Sequence, residues 1–194
     1  IIKQANDNFY TSVLSSYTSY IDTNIGFCGD RNPLNQQSGV GTGIVTTYMQ
    51  GYLRVLSSSP SLSCENSSDL YTVASSTKGN KALIYPIGLI TADEVMLSGS
   101  SGGIFDGEYN YLPISPNSYL TTGNPFWTIT PAGSYNTFGG RGWYSYVLYV
   151  GSAGGIDDGV VNANGTHNLR PVINIRSNVT ISGDGTMSNP YVIS

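Results

Sequence analysis

The stretch from Trp127 to Ile175 limits this chain more than any other. It opens with Trp127-Thr128-Ile129-Thr130-Pro131 and closes with Asn168-Leu169-Arg170-Pro171-Val172-Ile173-Asn174-Ile175. The residues between are mostly Gly, Tyr, Ser and Asn. Apolar β-branched ends read as strands, whereas a Gly- and Asn-rich middle reads as turns and loops. Such a middle also has the make-up of a recognition surface. Tyr and Trp give contact area at small entropic cost, and Ser, Gly and Asn give adaptable hydrogen bonds. The chain is therefore expected to be a binder.

Charge narrows the partners. Only 10% of the 194 residues are charged and the net charge is −4. Nucleic-acid binding needs clustered Lys and Arg to neutralise phosphates, and the eight basic residues here are scattered, so no nucleic-acid partner is expected. No run approaches the roughly 18 apolar residues that span a bilayer, and a secretion signal, if the protein is exported, is expected upstream of residue 1. The two cysteines, Cys28 and Cys64, have no metal-ligand spacing and suit one disulfide in an exported protein, with two reduced thiols as the alternative.

The fold class expected is α+β, with N-terminal helices followed by short antiparallel strands and long loops. Phe9, Val13, Tyr17 and Tyr20 with Ile21 recur at three- and four-residue steps, which predicts one amphipathic helix within 1–25, ending near Asn24-Ile25-Gly26. Ile44 to Leu56 reads as a second helix or a strand. Thr91 followed by Glu94 is the capping-box pattern and predicts a short helix from Ala92 to about Leu97. Expected strands are 126–130, 145–150, 159–161, 171–175 and 191–193, and Ser182-Gly183-Asp184-Gly185-Thr186 is a turn. Residues 26–194 form one domain after the helical segment.

Six short motifs carry a likeness. They are Phe27-Cys28-Gly29-Asp30-Arg31, Asn66-Ser67-Ser68-Asp69-Leu70-Tyr71, Gly88-Leu89-Ile90-Thr91-Ala92-Asp93-Glu94, Phe126-Trp127-Thr128-Ile129-Thr130-Pro131, Leu169-Arg170-Pro171-Val172-Ile173-Asn174, and the closing Gly183-Asp184-Gly185-Thr186 with Ser188-Asn189-Pro190-Tyr191-Val192-Ile193. As a set they resemble the C-terminal domain of bacterial prepilin-type surface proteins. The order of elements resembles a C-type-lectin-like fold, as in the formylglycine-generating-enzyme-like proteins and the variable proteins of diversity-generating retroelements. The resemblance implies a scaffold on the cell surface or outside the cell, with Ile1-Ile2-Lys3 as the tail of a pilin-like helix that would also be its only link to a membrane. It also implies a ligand-facing stretch at 132–168. On it the contact residues would be Tyr135, Asn136, Arg141, Trp143, Tyr144, Asp157, Asp158, Asn162, Asn164, His167 and Asn168, and the ligand a protein or glycan.

Each chemical group has a plainer reading as well. Trp127 suits a core anchor, while Trp143, among glycines and beside Arg141, suits a contact position. Asp157-Asp158-Gly159 reads as a turn with solvated charges, because two adjacent carboxylates are too few for calcium. The Glu-Pro-Asn and Trp-Asn-Asp elements of calcium-dependent lectins are missing, so that mode of sugar binding is not expected. His167 is the only histidine and reads as a surface loop position. Asp93 and Glu94 read as capping chemistry, and Arg170 as a brace for loop carbonyls. No metal, cofactor or catalytic residue is expected. Two rivals remain: an enzyme of the formylglycine-generating group, which would need reactive cysteines, and a structural subunit of a pilus-like filament.

Overall fold

The computed structural model describes residues 2–34, 46–99, 120, 123–136, 143–161, 167–186 and 188–194. In chain order the elements are α1 (Ile2–Phe9), β1 (Phe27–Cys28), β2 (Thr47–Tyr48), α2 (Gln50–Leu56), β3 (Leu70–Tyr71), β4 (Gly88–Leu89) and α3 (Ala92–Leu97). Then follow β5 (Phe126–Asn136), β6 (Trp143–Val150), β7 (Ile156–Val160), β8 (Asn168–Leu169), β9 (Pro171–Val172), β10 (Ile181–Ser182) and β11 (Val192–Ile193). The class is α+β; the helices do not all precede the strands as expected, since the short β1–β4 alternate with them and only the longer strands come late.

One sheet organises the molecule. Its order is β2-β5-β6-β7, antiparallel throughout, and β8 joins β5 in parallel at Phe126 and Trp127. The long hairpin of β5 and β6 sets Phe126 against Val150 at one end and Asn136 against Trp143 at the other, with register shifts around Pro131. Pro131 has no N–H to offer a ladder, which suits a bulge. Three two-stranded ladders complete the frame: β1 with β3, β4 with β9, and β10 with β11. Five of the six motifs thus meet in pairs or on the central sheet.

The main core fills one face of the sheet. Phe126, Leu148, Val150 and Ile156 from β5, β6 and β7 pack with Val55 of α2 and with Val95 and Met96 of α3. Burying each of these side chains stabilises by about 1.5–3 kcal/mol before cavity effects. α3 starts as its sequence demands. The Thr91 hydroxyl accepts from the Glu94 N–H (3.0 Å), and the Glu94 carboxylate accepts from the Thr91 N–H (2.7 Å). Cys28 and Cys64 form a disulfide, Cα to Cα 5.6 Å, that ties β1 to the segment before β3. By the loop-entropy estimate a bridge of this span contributes about 3–4 kcal/mol.

Beneath α2 lies a charged network. The Arg54 guanidinium holds Asp93 through Nε (2.7 Å) and Nη2 (2.9 Å) and also pairs with Asp30. Gly51 makes room for it, since a Cβ there would stand 2.5 Å from the Asp30 carboxylate and 2.4 Å from the Thr130 methyl. Nearby, Arg31 and Asp69 join the first two motifs: the Arg31 backbone N–H and Nε donate to the Asp69 carboxylate at 2.8 and 2.6 Å.

The first helix departs from expectation. α-Helical winding stops at Phe9, continues as a π-turn over Tyr10–Leu14 and a 3-10 turn over Ser15–Tyr17, and does not reach Asn24. Phe9, Val13 and Tyr17 face solvent. The buried stripe is Asn6 and Tyr10 with Leu14, and Tyr10 stacks on Tyr85 at 4.9 Å. The 44–56 stretch is both a strand and a helix, β2 running into α2.

Candidate functional site

The free end of the β5–β6 hairpin carries exposed aromatic surface. Trp143 and Tyr144 pair with Asn136 and Tyr135 across the ladder, and each is 38% exposed. Behind them the core-facing side holds four tyrosines from four elements. Tyr52 of α2 stacks on Tyr48 of β2 at 5.3 Å, Tyr48 tilts against Tyr135 of β5 at 5.6 Å, and Tyr135 lies flat on Tyr146 of β6 at 3.9 Å. Ring contacts of this kind add to what area burial provides and hold the rings rigid. Tyr48, like Trp143 and Tyr144, is partly exposed, so the ladder runs from solvent into the core.

Asp158 of β7 anchors the ladder by accepting a hydrogen bond from the Tyr135 hydroxyl. Burial, and after it the bond to Asp158, push the Tyr135 phenol far above its usual range, so it stays a donor. Burial also raises the Asp158 carboxyl, with the Asp157 charge adding to it and the Tyr135 bond opposing it. The folded state therefore holds that proton more tightly than the unfolded chain. This contribution to stability grows as pH falls through the raised value towards the ordinary carboxylate range, and is lost as pH rises. Asp158→Asn keeps an oxygen for Tyr135 and removes the charge. Its melting temperature should exceed that of the wild type at neutral pH, and the gap should close on acidification. Calorimetry across pH checks this; a lower melting temperature at neutral pH would contradict it.

On the opposite face lies a second group. Trp127, only 7% exposed, stacks on His167 at 4.4 Å, and Tyr149 stands edge-on to both. The Tyr149 hydroxyl donates to Asp157 (3.0 Å), which also accepts from the Asp158 N–H (2.8 Å). Tyr149, Asp157 and His167 line a cleft of about 360 Å³ with Pro125 and Ser152. Burial lowers the His167 pKa, and its buried Nδ1 has no hydrogen-bond partner.

These positions correct several expectations. Asp157 and Asp158 are not solvated turn residues; they sit half-buried in a strand, on opposite faces, each held by a tyrosine hydroxyl. His167 is not a plain loop position, because its ring covers Trp127. Trp127 is buried as expected, packed on His167 and Tyr149 beside the main core cluster. Capping accounts for Glu94 alone, since Asp93 belongs to Arg54. Arg170 donates to the Leu120 carbonyl at 3.0 Å and lies over the Phe126 ring. The structure thus divides the expected contact residues: Tyr135, Asn136, Trp143, Tyr144 and Asp158 lie along the hairpin and its anchor, while Asp157, His167 and exposed Asn168 lie at the far cleft. Arg141, Asn162 and Asn164 lie outside the described residues.

Tyr48, Tyr52, Tyr146 and Tyr149 were missing from the expected surface. Tyr48 and Tyr52 stand four apart, but one is on a strand and the other on a helix, so no single period joins them. Among the described residues no group of three His, Cys, Asp or Glu is placed to hold a metal ion, and no helix is long and apolar enough to cross a membrane. Compared with family models, curated proteins and solved structures, the chain matches none.

Proposed function

We propose that this chain is a ligand-binding module displayed outside the cell or on its surface, and that it recognises a protein or glycan through the β5–β6 hairpin tip and the tyrosines behind it. The observation that carries this reading is the four-tyrosine ladder leading out to exposed Tyr144, with exposed Trp143 beside it on the other face of β6. Aromatic side chains held rigid before contact lose little entropy on binding and dominate interface energetics. Under the same proposal the domain is C-type-lectin-like and akin to prepilin-type surface proteins. The α+β class, the late hairpin and the pairing of the motifs support that kinship.

Two facts weigh between the rivals. Cys28 and Cys64 are joined, so neither offers the free thiol that the formylglycine-generating chemistry needs. A disulfide also suits an oxidising compartment. The filament reading shares the same exposed face and differs in its ligand, a second copy of the chain.

The test is to probe immobilised glycan and bacterial surface-protein arrays with the purified domain and with Tyr48→Ala. Tyr48 touches both Tyr52 and Tyr135, so its removal should weaken capture of whatever ligand is found by about tenfold. Equal capture by the variant would remove the ladder from the interface, and capture of the domain's own copies alone would favour the filament.

A further inference from the structure

A second cavity, unrelated to the hairpin tip, lies under α1. It has a volume of about 380 Å³, more than twice the roughly 150 Å³ that accommodates benzene in a protein interior. Its walls are largely apolar: Ile2 of α1, Phe27 of β1, Leu89 of β4, Ile129 and Pro131 of β5, and Leu83. An apolar concavity of this size with few polar groups is the ordinary form of a small-molecule site.

The charges around this cavity are not balanced within it. Lys3, Asp7 and Arg31 belong to its lining, whereas Asp69, the partner of Arg31, does not, so the lining has one positive charge in excess. The cations are also the outer members of their pairs. The Lys3 and Arg31 side chains are each 53% exposed, against 20% for Asp7 and 6% for Asp69. One oxygen of Asp69 takes Nε of Arg31 at 2.6 Å and Nη2 at 2.5 Å, and the other takes the Arg31 backbone N–H. The third guanidinium nitrogen, Nη1, has no hydrogen-bond partner among the described residues. Lys3 gives one of its three donors to Asp7, at 2.5 Å. Spare cationic donors beside an apolar hollow suit a ligand with an apolar body and a single negative charge.

We propose that this cavity binds an apolar monocarboxylic acid, its hydrocarbon body against Phe27, Leu89 and Ile129 and its carboxylate at the mouth, where Arg31 and Lys3 donate to it. An alkyl chain and an aryl group of similar bulk share this chemistry. A neutral apolar alcohol gains the same burial without the charge-assisted bonds, and a cation of the same bulk is repelled. The site shares no residue with the displayed face and does not depend on it.

The test uses octanoate, octan-1-ol and octylammonium, which carry one chain and differ in the head group. Methyl-labelled protein is titrated with each at neutral pH and low salt and followed through the Leu83, Leu89 and Ile129 methyl signals. Octanoate should shift those signals and bind about tenfold more tightly than octanol, with octylammonium the weakest. Hexanoate, two CH₂ groups shorter, should bind about tenfold more weakly than octanoate. In Lys3→Gln/Arg31→Gln the preference for octanoate over octanol should vanish while octanol still binds. Absence of shifts with octanoate, equal binding of octanoate and octanol or of octanoate and hexanoate by the wild type, or an undiminished preference in the folded variant would each overturn the proposal. Should the variant not fold, the contrast between probes on the wild type decides alone.

Discussion

Replacing Arg54 with Met will destabilise the protein by roughly 3–5 kcal/mol, the range for removing one partner of a buried ion pair. Among the described residues Arg54 is the one cation bound to these two carboxylates, with side-chain exposures of 19% for Arg54, 11% for Asp30 and 3% for Asp93. Hydrogen bonds to Asp93, and then Asp30, keep the guanidinium charged against the cost of burial. Asp30 reads the balance differently: burial raises its pKa in spite of the Arg54 contact. With Met in place both carboxylates would remain, one of them also accepting from the Ser61 N–H at 2.9 Å, and neither would have a counter-charge. The folded pKa of Asp30 would then rise further. The loss should be greatest at neutral pH and shrink as pH falls towards the ordinary carboxylate range, because the folded state then takes up protons that the unfolded chain does not yet hold. Urea unfolding at neutral and mildly acidic pH measures both parts. A loss below about 1 kcal/mol at neutral pH would place the network in solvent-screened surroundings.

The same network shows what a linear reading of this chain can reach. Thr91 and Glu94 were legible as a cap because the chemistry is local, two side chains answering two N–H groups three residues apart. The turn at Gly183 and Gly185 was legible for a like reason, both having the positive φ that glycine adopts freely. Asp30, Arg54 and Asp93 stand 24 and 39 residues from their partners, and no local pattern relates them. Asp157-Asp158-Gly159 misled because Asp and Gly favour turns. What keeps those carboxylates in a strand is a pair of tyrosine hydroxyls, from Tyr135 and Tyr149, 23 and 8 residues away.

The first helix failed more instructively. Phe9, Val13 and Tyr17 make an apolar stripe at a spacing of four, but so do Asn6, Tyr10 and Leu14, shifted by three. Hydrophobicity favours the first stripe, whereas the fold buries the second, and the one polar member is the Asn6 whose oxygen is left without a partner. The second stripe is buried because Tyr10 and Leu14 meet Tyr85, Ile21 and Ile87.

The displayed face shows the reverse case. Its aromatic richness was plain in the sequence, and the hairpin brings Tyr135, Asn136, Trp143 and Tyr144 into register as neighbours. Only the tyrosines arriving from β2 and α2 required the tertiary structure.

That face carries the second large effect. Trp143 and Tyr144 stand at the end of β6, each well exposed, whereas Tyr146, Leu148 and Val150 further along the same strand supply its share of the core. Truncating the two outer rings should leave the fold almost untouched, as surface changes away from core packing usually cost less than about 0.5 kcal/mol. Binding should suffer far more. Loss of two aromatic rings, one on each face of the end of β6, removes an anchor whichever face the ligand takes and weakens an interface by about tenfold or more.

The most direct measurement follows from that separation. Using the ligand identified on the arrays, affinity and melting temperature are determined side by side for the wild type and for Trp143→Ala/Tyr144→Ala. Capture should weaken by about tenfold or more while the melting temperature shifts by no more than a few degrees. Undiminished affinity in the double variant, or its collapse into an unfolded chain, would contradict a recognition surface at the hairpin tip.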